Sequence, residues 1–174
     1  MTLITNALLN TKPITGHRSR ESSGAAGAAS LHEIKAVHHQ LWRVMSELRK
    51  LLESPFPPSI EPPRLVRLLE QLRDGIGLHF TLEESCGYFD NPVSAAPRLS
   101  HESLLLRAQH RALYLEISEL VERAARDYDR KEQADWIRMV AKAFLRFCRR
   151  FETHEARENA LLQQAYEEDL GGGD

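Results

Sequence analysis

Glu83 sits four residues after His79, and Glu158 four residues after His154. On an α-helix, residues four apart lie one turn from each other on the same face. One imidazole and one carboxylate then reach toward the same point. Each pair also continues an apolar stripe. Leu65, Leu69, Leu72 and Ile76 lead into the first, while Val140, Phe144, Phe147 and Phe151 lead into the second, which Leu161 and Leu162 follow. An exposed helix-face pair contributes only a few tenths of a kcal/mol and has no reason to align with a core stripe. A chain that buries two carboxylates must bring them partners, and this limits how it can fold.

The partners are visible one helix earlier in each case. His38 falls within the stripe Leu31, Ile34, Leu41, Met45, Leu48, Leu52, and His110 within Leu106, Leu113, Ile117, Leu120, Ala124. The chain is a repeat. His38, Leu41, Ser46, Glu47 and Leu48 recur as His110, Leu113, Ser118, Glu119 and Leu120 at an offset of 72, and His79 and Glu83 recur as His154 and Glu158 at an offset of 75. His39 corresponds to Arg111, which marks His38 as the inward residue of the neighbouring pair. The expected fold is all-α, an antiparallel up-down-up-down four-helix bundle made of two helical hairpins in a pseudo-two-fold repeat.

Local signals place the ends. Residues 1–29 are small, polar and aperiodic, and read as a disordered N-terminal tail. Ser30 and Glu33 have capping-box spacing and start the first helix, and Ser54-Pro55-Phe56-Pro57-Pro58 stops it. The second helix begins near Pro62-Pro63 and ends by Asp90-Asn91-Pro92. Within it Gly75 and Gly77 each cost about 1 kcal/mol against alanine, through either close packing or a bulge. A loop leads to a third helix from Ser100 or Ser103 to Asp127, and a fourth runs from Lys131 to Asp169. The bundle thus spans 30–169, with a frayed end at 170–174.

At 174 residues the chain suits one domain with a proper core. A net charge of −2 gives no electrostatic case for nucleic acid, and no apolar run has the length a membrane helix needs. The N-terminus lacks a basic region ahead of Leu3 and Ile4, so no signal peptide is expected. Cys86 and Cys148 form no CxxC pair and suggest no disulfide framework. A cytoplasmic protein with two buried, inert thiols is the expectation.

The inward inventory is His38, His79, Glu83, His110, His154 and Glu158. Imidazole mixed with carboxylate suits iron, manganese or zinc. Two six-coordinate ions offer roughly 12 positions, of which four imidazoles, two bridging carboxylates and one bridging oxide or hydroxide fill about ten. What is left admits water, dioxygen, nitric oxide or peroxide. Glu84 and Glu155 follow the helix onto the flank and are expected to be solvated, with Glu84 an alternative ligand. His32, His39 and His101 are expected at the surface. Trp42 and Tyr114, at matching positions of the repeat, are expected to shield the metals, and Tyr114 is a candidate hydrogen-bond donor to a bound ligand.

At these residues the chain resembles the hemerythrin-like family, also called the HHE cation-binding domain. The resemblance covers roughly residues 31–166 and rests on His38, His79 with Glu83, His110, and His154 with Glu158. It implies a four-helix bundle around a non-haem di-iron centre with an oxygen bridge. Members of that family carry oxygen, sense oxygen or iron, act on nitric oxide or repair iron centres. The oxygen carriers have a histidine where this chain has Tyr114 and an aspartate where it has Asn159. The set of four histidines and two glutamates is more similar to that of the repair proteins. The expected function is binding or turnover of dioxygen, peroxide or nitric oxide. The alternative is iron or oxygen sensing without turnover, read by a protein partner that the sequence does not identify.

Overall fold

Four long helices pack together, and no strand occurs among the described residues. They are α1 (Glu21–Leu52), α2 (Pro62–Ser85), α3 (Ser100–Asp127) and α4 (Gln133–Gly171), with a 3-10 turn at Pro97–Leu99 leading into α3. This computed structural model describes residues 21–53, 61–85, 94, 96–130 and 132–171, with side chains from 36 to 167 within those ranges. No helix of the described residues is long and apolar enough to cross a membrane.

The starts of α2 and α3 agree with the proline and serine signals. The start of α1 does not. Its backbone is helical from Glu21, nine residues before the Ser30 capping box. Ala25, Ala26, Ala28 and Ala29 explain this, since alanine has the highest helix propensity and outweighs a serine that also suits a helix start. Residues 1–20 of the expected tail lie outside the described residues, as do Asp90-Asn91-Pro92 and Cys86.

Packing is extensive between α1 and α2, α2 and α3, and α3 and α4, and sparser between α1 and α4. The largest fully buried side chain is Trp136, which the apolar stripe beginning at Val140 missed by one turn. Its indole Nε1 donates to the Ala124 carbonyl at 3.0 Å, which ties the start of α4 to the end of α3. Cys148 is buried in the core as expected, and burial pushes its thiol up to about 11 although Arg49 opposes the shift.

The apolar core is in two parts. The larger runs from Leu65, Val121, Ala124 and Trp136 to Leu41, Phe80, Leu113 and Phe151. The smaller holds Ala96, Leu99, Leu106, Leu161 and Ala165. Along α3, His110 falls between Leu106 of the smaller part and Leu113 of the larger. Along α4, His154, Glu155 and Glu158 fall between Phe151 and Leu161. A polar layer therefore separates two apolar clusters.

Candidate metal centre

Each helix contributes to this layer through the register of its own stripe. α1 supplies His38, α2 His79 and Glu83, α3 His110, and α4 His154 and Glu158. All six residues inferred from the sequence lie here, and a seventh joins them. Glu155, expected on the solvated flank, is 7% exposed and faces inward. Three groupings bring ligand atoms within 4.8 Å of one another: His38, His79 and Glu155; His110, His154 and Glu158; and the three carboxylates Glu83, Glu155 and Glu158.

The repeat itself contained the signal for Glu155. At the offset of 75 it corresponds to Phe80, which is apolar and buried, so the position points into the core in both halves. Helical spacing from His154 alone put it on the flank, because adjacent residues diverge by about 100°. Where Glu155 approaches His38, with His38 Nδ1 3.5 Å from its Oε2, Phe80 instead stacks on His110, the ring centroids 4.0 Å apart and nearly parallel.

The polar atoms of this layer lie close together. His79 Nε2 lies 2.9 Å from Glu155 Oε1 and 3.0 Å from Glu83 Oε1. His110 Nε2 lies 3.1 Å from Glu158 Oε1 and 3.7 Å from Glu83 Oε2. His154 Nε2 is 3.0 Å from Glu158 Oε1, but off the line a hydrogen bond needs. Glu83 Oε2 has no hydrogen-bond partner either, nor has the outward His79 Nδ1.

Two of the rings are fixed from behind. His110 Nδ1 sits 2.8 Å from Glu84 Oε1, and His154 Nδ1 sits 3.2 Å from Gln109 Oε1. An ionised carboxylate only accepts, so His110 donates its Nδ1 proton to Glu84. The amide oxygen of Gln109 accepts from His154 in the same way. In the neutral rings both Nε2 lone pairs then face the oxygens of Glu158. Lone pairs opposed at about 3 Å repel unless a proton or a cation lies between them. Glu84 is thus not a free surface group. Its side chain is 45% exposed and it orients the His110 ring. Neither Glu84 nor Gln109 was marked for this role by sequence pattern, because the contact is across α2–α3 or α3–α4 and has no local spacing.

Burial and like charges shift the acids and bases of this layer. Burial, then the charges of Glu158, Glu155 and Glu84, push the Glu83 carboxyl up to about 11. Burial would push Glu158 up as well, but where protons on the His110 and His154 rings lie between, their hydrogen bonds and attraction outweigh it and hold this carboxyl below its ordinary range. Burial lowers His38, against the opposing pull of Glu155.

His39 and His101 are exposed, as expected, while the side chain of His32 lies outside the described residues. Trp42 and Tyr114 do not behave alike. Trp42 packs toward the layer, 5.8 Å from the His38 ring and 6.1 Å from Phe151. Tyr114 is exposed and lies along α2, where a Cβ on Gly77 would come 3.0 Å from its ring. Gly77 therefore serves a close helix approach, and Tyr114 shields nothing in the polar layer.

No protein-family model, curated protein or solved structure matches this chain.

Proposed function

We propose that this chain holds a dinuclear non-haem metal centre, with iron the first choice over manganese or zinc, and works in the manner of the hemerythrin-like proteins its ligand order resembles. One observation carries the reading: three buried carboxylates and four imidazoles converge in one layer between apolar clusters. Three ionised glutamates bring a charge of −3. One divalent ion leaves −1, while two leave +1, a charge that one bridging hydroxide offsets. Buried charge left unpaired costs several kcal/mol per ion, so the two-ion state is the balanced one.

The helix order assumed is up-down-up-down. Cross-helix partners support it because they run in opposite numerical directions. Glu47 meets Arg64 while His38 meets His79, and Tyr114 meets Gly77 while His110 meets Glu84. Likewise Ala124 meets Trp136 while Glu102 meets Arg157.

In this reading the four imidazoles and three carboxylates bind the ions, and Glu84 and Gln109 fix two rings in the tautomer that presents Nε2. Phe80, Phe151 and Trp42 exclude water from the layer. Bound iron would supply reversible electron transfer to a small ligand such as dioxygen, nitric oxide or peroxide. The burial of His79, His110 and His154 favours a ligand of two or three atoms over an organic substrate. A sensing role without turnover is the second reading. It is favoured by the position of the layer between the two apolar clusters, which couples occupancy to stability.

Metal analysis with an absorption spectrum tests this, on protein from cells grown with added iron. About two irons per chain with near-ultraviolet charge-transfer bands is the expected result. Protein that holds no metal, or only a fraction of one zinc, would sink the redox reading. Repeated consumption of peroxide or nitric oxide would favour catalysis, and a single binding event with a change in stability would favour sensing.

A further inference from the structure

Besides the stripe it buries, α3 carries an apolar row on its outer side. Leu104, Leu105 and Leu115 are 63%, 42% and 49% exposed. Ala108 and Ala112 are exposed as well. Leu105, Ala108, Ala112 and Leu115 follow one another at steps of three, four and three, on the side of the helix opposite the buried His110 and Leu113. One step further along the row at each end stand His101 and Glu119, both exposed. Scattered exposed leucines are ordinary. Leucines and alanines aligned at alternating steps of three and four form the seam along which two helices pair.

The row is close to a palindrome: His, Leu, Ala, Ala, Leu, Glu from 101 to 119. Two copies of α3 laid antiparallel about its midpoint set Leu105 of each against Leu115 of the other, and Ala108 against Ala112. The small central pairs let the helices approach closely. The same register sets His101 against Glu119 at both ends, an imidazole N–H toward a carboxylate. A slide of one turn sets Leu105 against Ala112 or Glu119 instead. Parallel pairing sets Glu119 against Glu119, a like-charge contact. The charges beside the row do not oppose the antiparallel arrangement. Glu102 is paired with Arg157, and Glu116 with Arg146 and Arg150, all within the bundle. Arg111 is exposed, on a long stem whose head stays in water.

We propose that this face of α3 docks on a second copy of itself, as a two-fold antiparallel helix pair centred between Ala108 and Ala112. The contact is isologous, so one patch serves both copies. It lies on the far side of α3 from His110, and stands whether or not the polar layer holds metal. Three leucines and two alanines per chain make a small interface, and the dimer should dissociate at about micromolar concentration.

Sedimentation velocity of the full chain across a concentration series tests this. A monomer–dimer equilibrium is expected, weakened about ten-fold or more by Leu105→Glu or Leu115→Glu. Leu78→Glu, at a leucine of α2 that is 50% exposed, should leave it unchanged. His101→Glu should weaken the dimer, and adding Glu119→Lys should restore it. Register is read by mild oxidation in a Cys86→Ser background. A mixture of the Ala108→Cys and Ala112→Cys chains should link to each other more than either links to itself. A chain still monomeric at about 1 mM leaves the face to a partner of another kind and overturns the proposal. So does a dimer indifferent to Leu105→Glu and Leu115→Glu, or one in which each cysteine variant links best to its own kind.

Discussion

Glu83 is the residue on which the chemistry of the polar layer turns. Burial and three neighbouring carboxylates push it up to about 11, so it holds a proton at neutral pH. An ion can take its oxygens only after that proton leaves. Metal uptake near pH 7 should therefore release one proton from this group, read by calorimetry in buffers of different ionisation enthalpy, and Glu83→Gln should remove it. An unchanged proton count in the variant would show that Glu83 was already ionised. The sign for stability follows. Below about 4.5 both the folded and the unfolded chain carry the proton, and between there and about 11 only the folded chain does. The metal-free protein should thus lose stability through Glu83 as pH rises across that window. Glu158 acts in the opposite sense, its lowered carboxyl giving stability that is lost on acidification. The sequence revealed Glu83 and Glu158 because a stripe at helical spacing ran into them. It hid Glu155 because a neighbour of a ligand is judged by its own side chain, and a glutamate reads as solvent-facing unless the repeat is consulted.

At the scale of the helix, the two glycines of α2 separate cleanly. A Cβ on Gly75 would meet only Leu41 Cδ1 at 3.5 Å, an ordinary contact, whereas one on Gly77 would press on Tyr114 at 3.0 Å. Gly75→Ala should therefore stabilise the protein by about 0.5–1 kcal/mol, from helix propensity alone. Gly77→Ala should gain less, and should recover the difference in a Tyr114→Ala background. Denaturant unfolding of the four variants measures this, and equal gains at both glycines would count against the close approach. The helices were legible in the sequence because their stripes are long and regular. The missed pieces have physical causes: the alanine-rich run from Ala25 to Ala29 extends α1 without any apolar period, and Trp136 stands ahead of the stripe because its partner is a carbonyl on α3 rather than a side chain in register.

For the whole molecule, the division of the core has the larger effect. The smaller cluster of Ala96, Leu99, Leu106, Leu161 and Ala165 is joined to the larger one across the polar layer, and little apolar contact bridges it. On the dinuclear reading, chelation removes the ions and leaves three carboxylates facing one another in that layer. Hydrogen exchange on chelator-treated protein should then speed up first in the C-terminal third of α4 and the start of α3, ahead of Phe144 and Trp136. Uniform loss of protection, or none, would argue against an ion as the link. On the same reading, the arrangement would make metal retention adjustable from a distance. Whatever free energy the smaller cluster contributes to closing its end of the bundle also helps to hold the polar layer in shape. Leu106 and Leu161 donate no ligand atom, yet on the dinuclear reading trimming either one should weaken the affinity of the centre. On that reading, how firmly the centre keeps its metal could be set by a few methyl groups, with every ligand left in place.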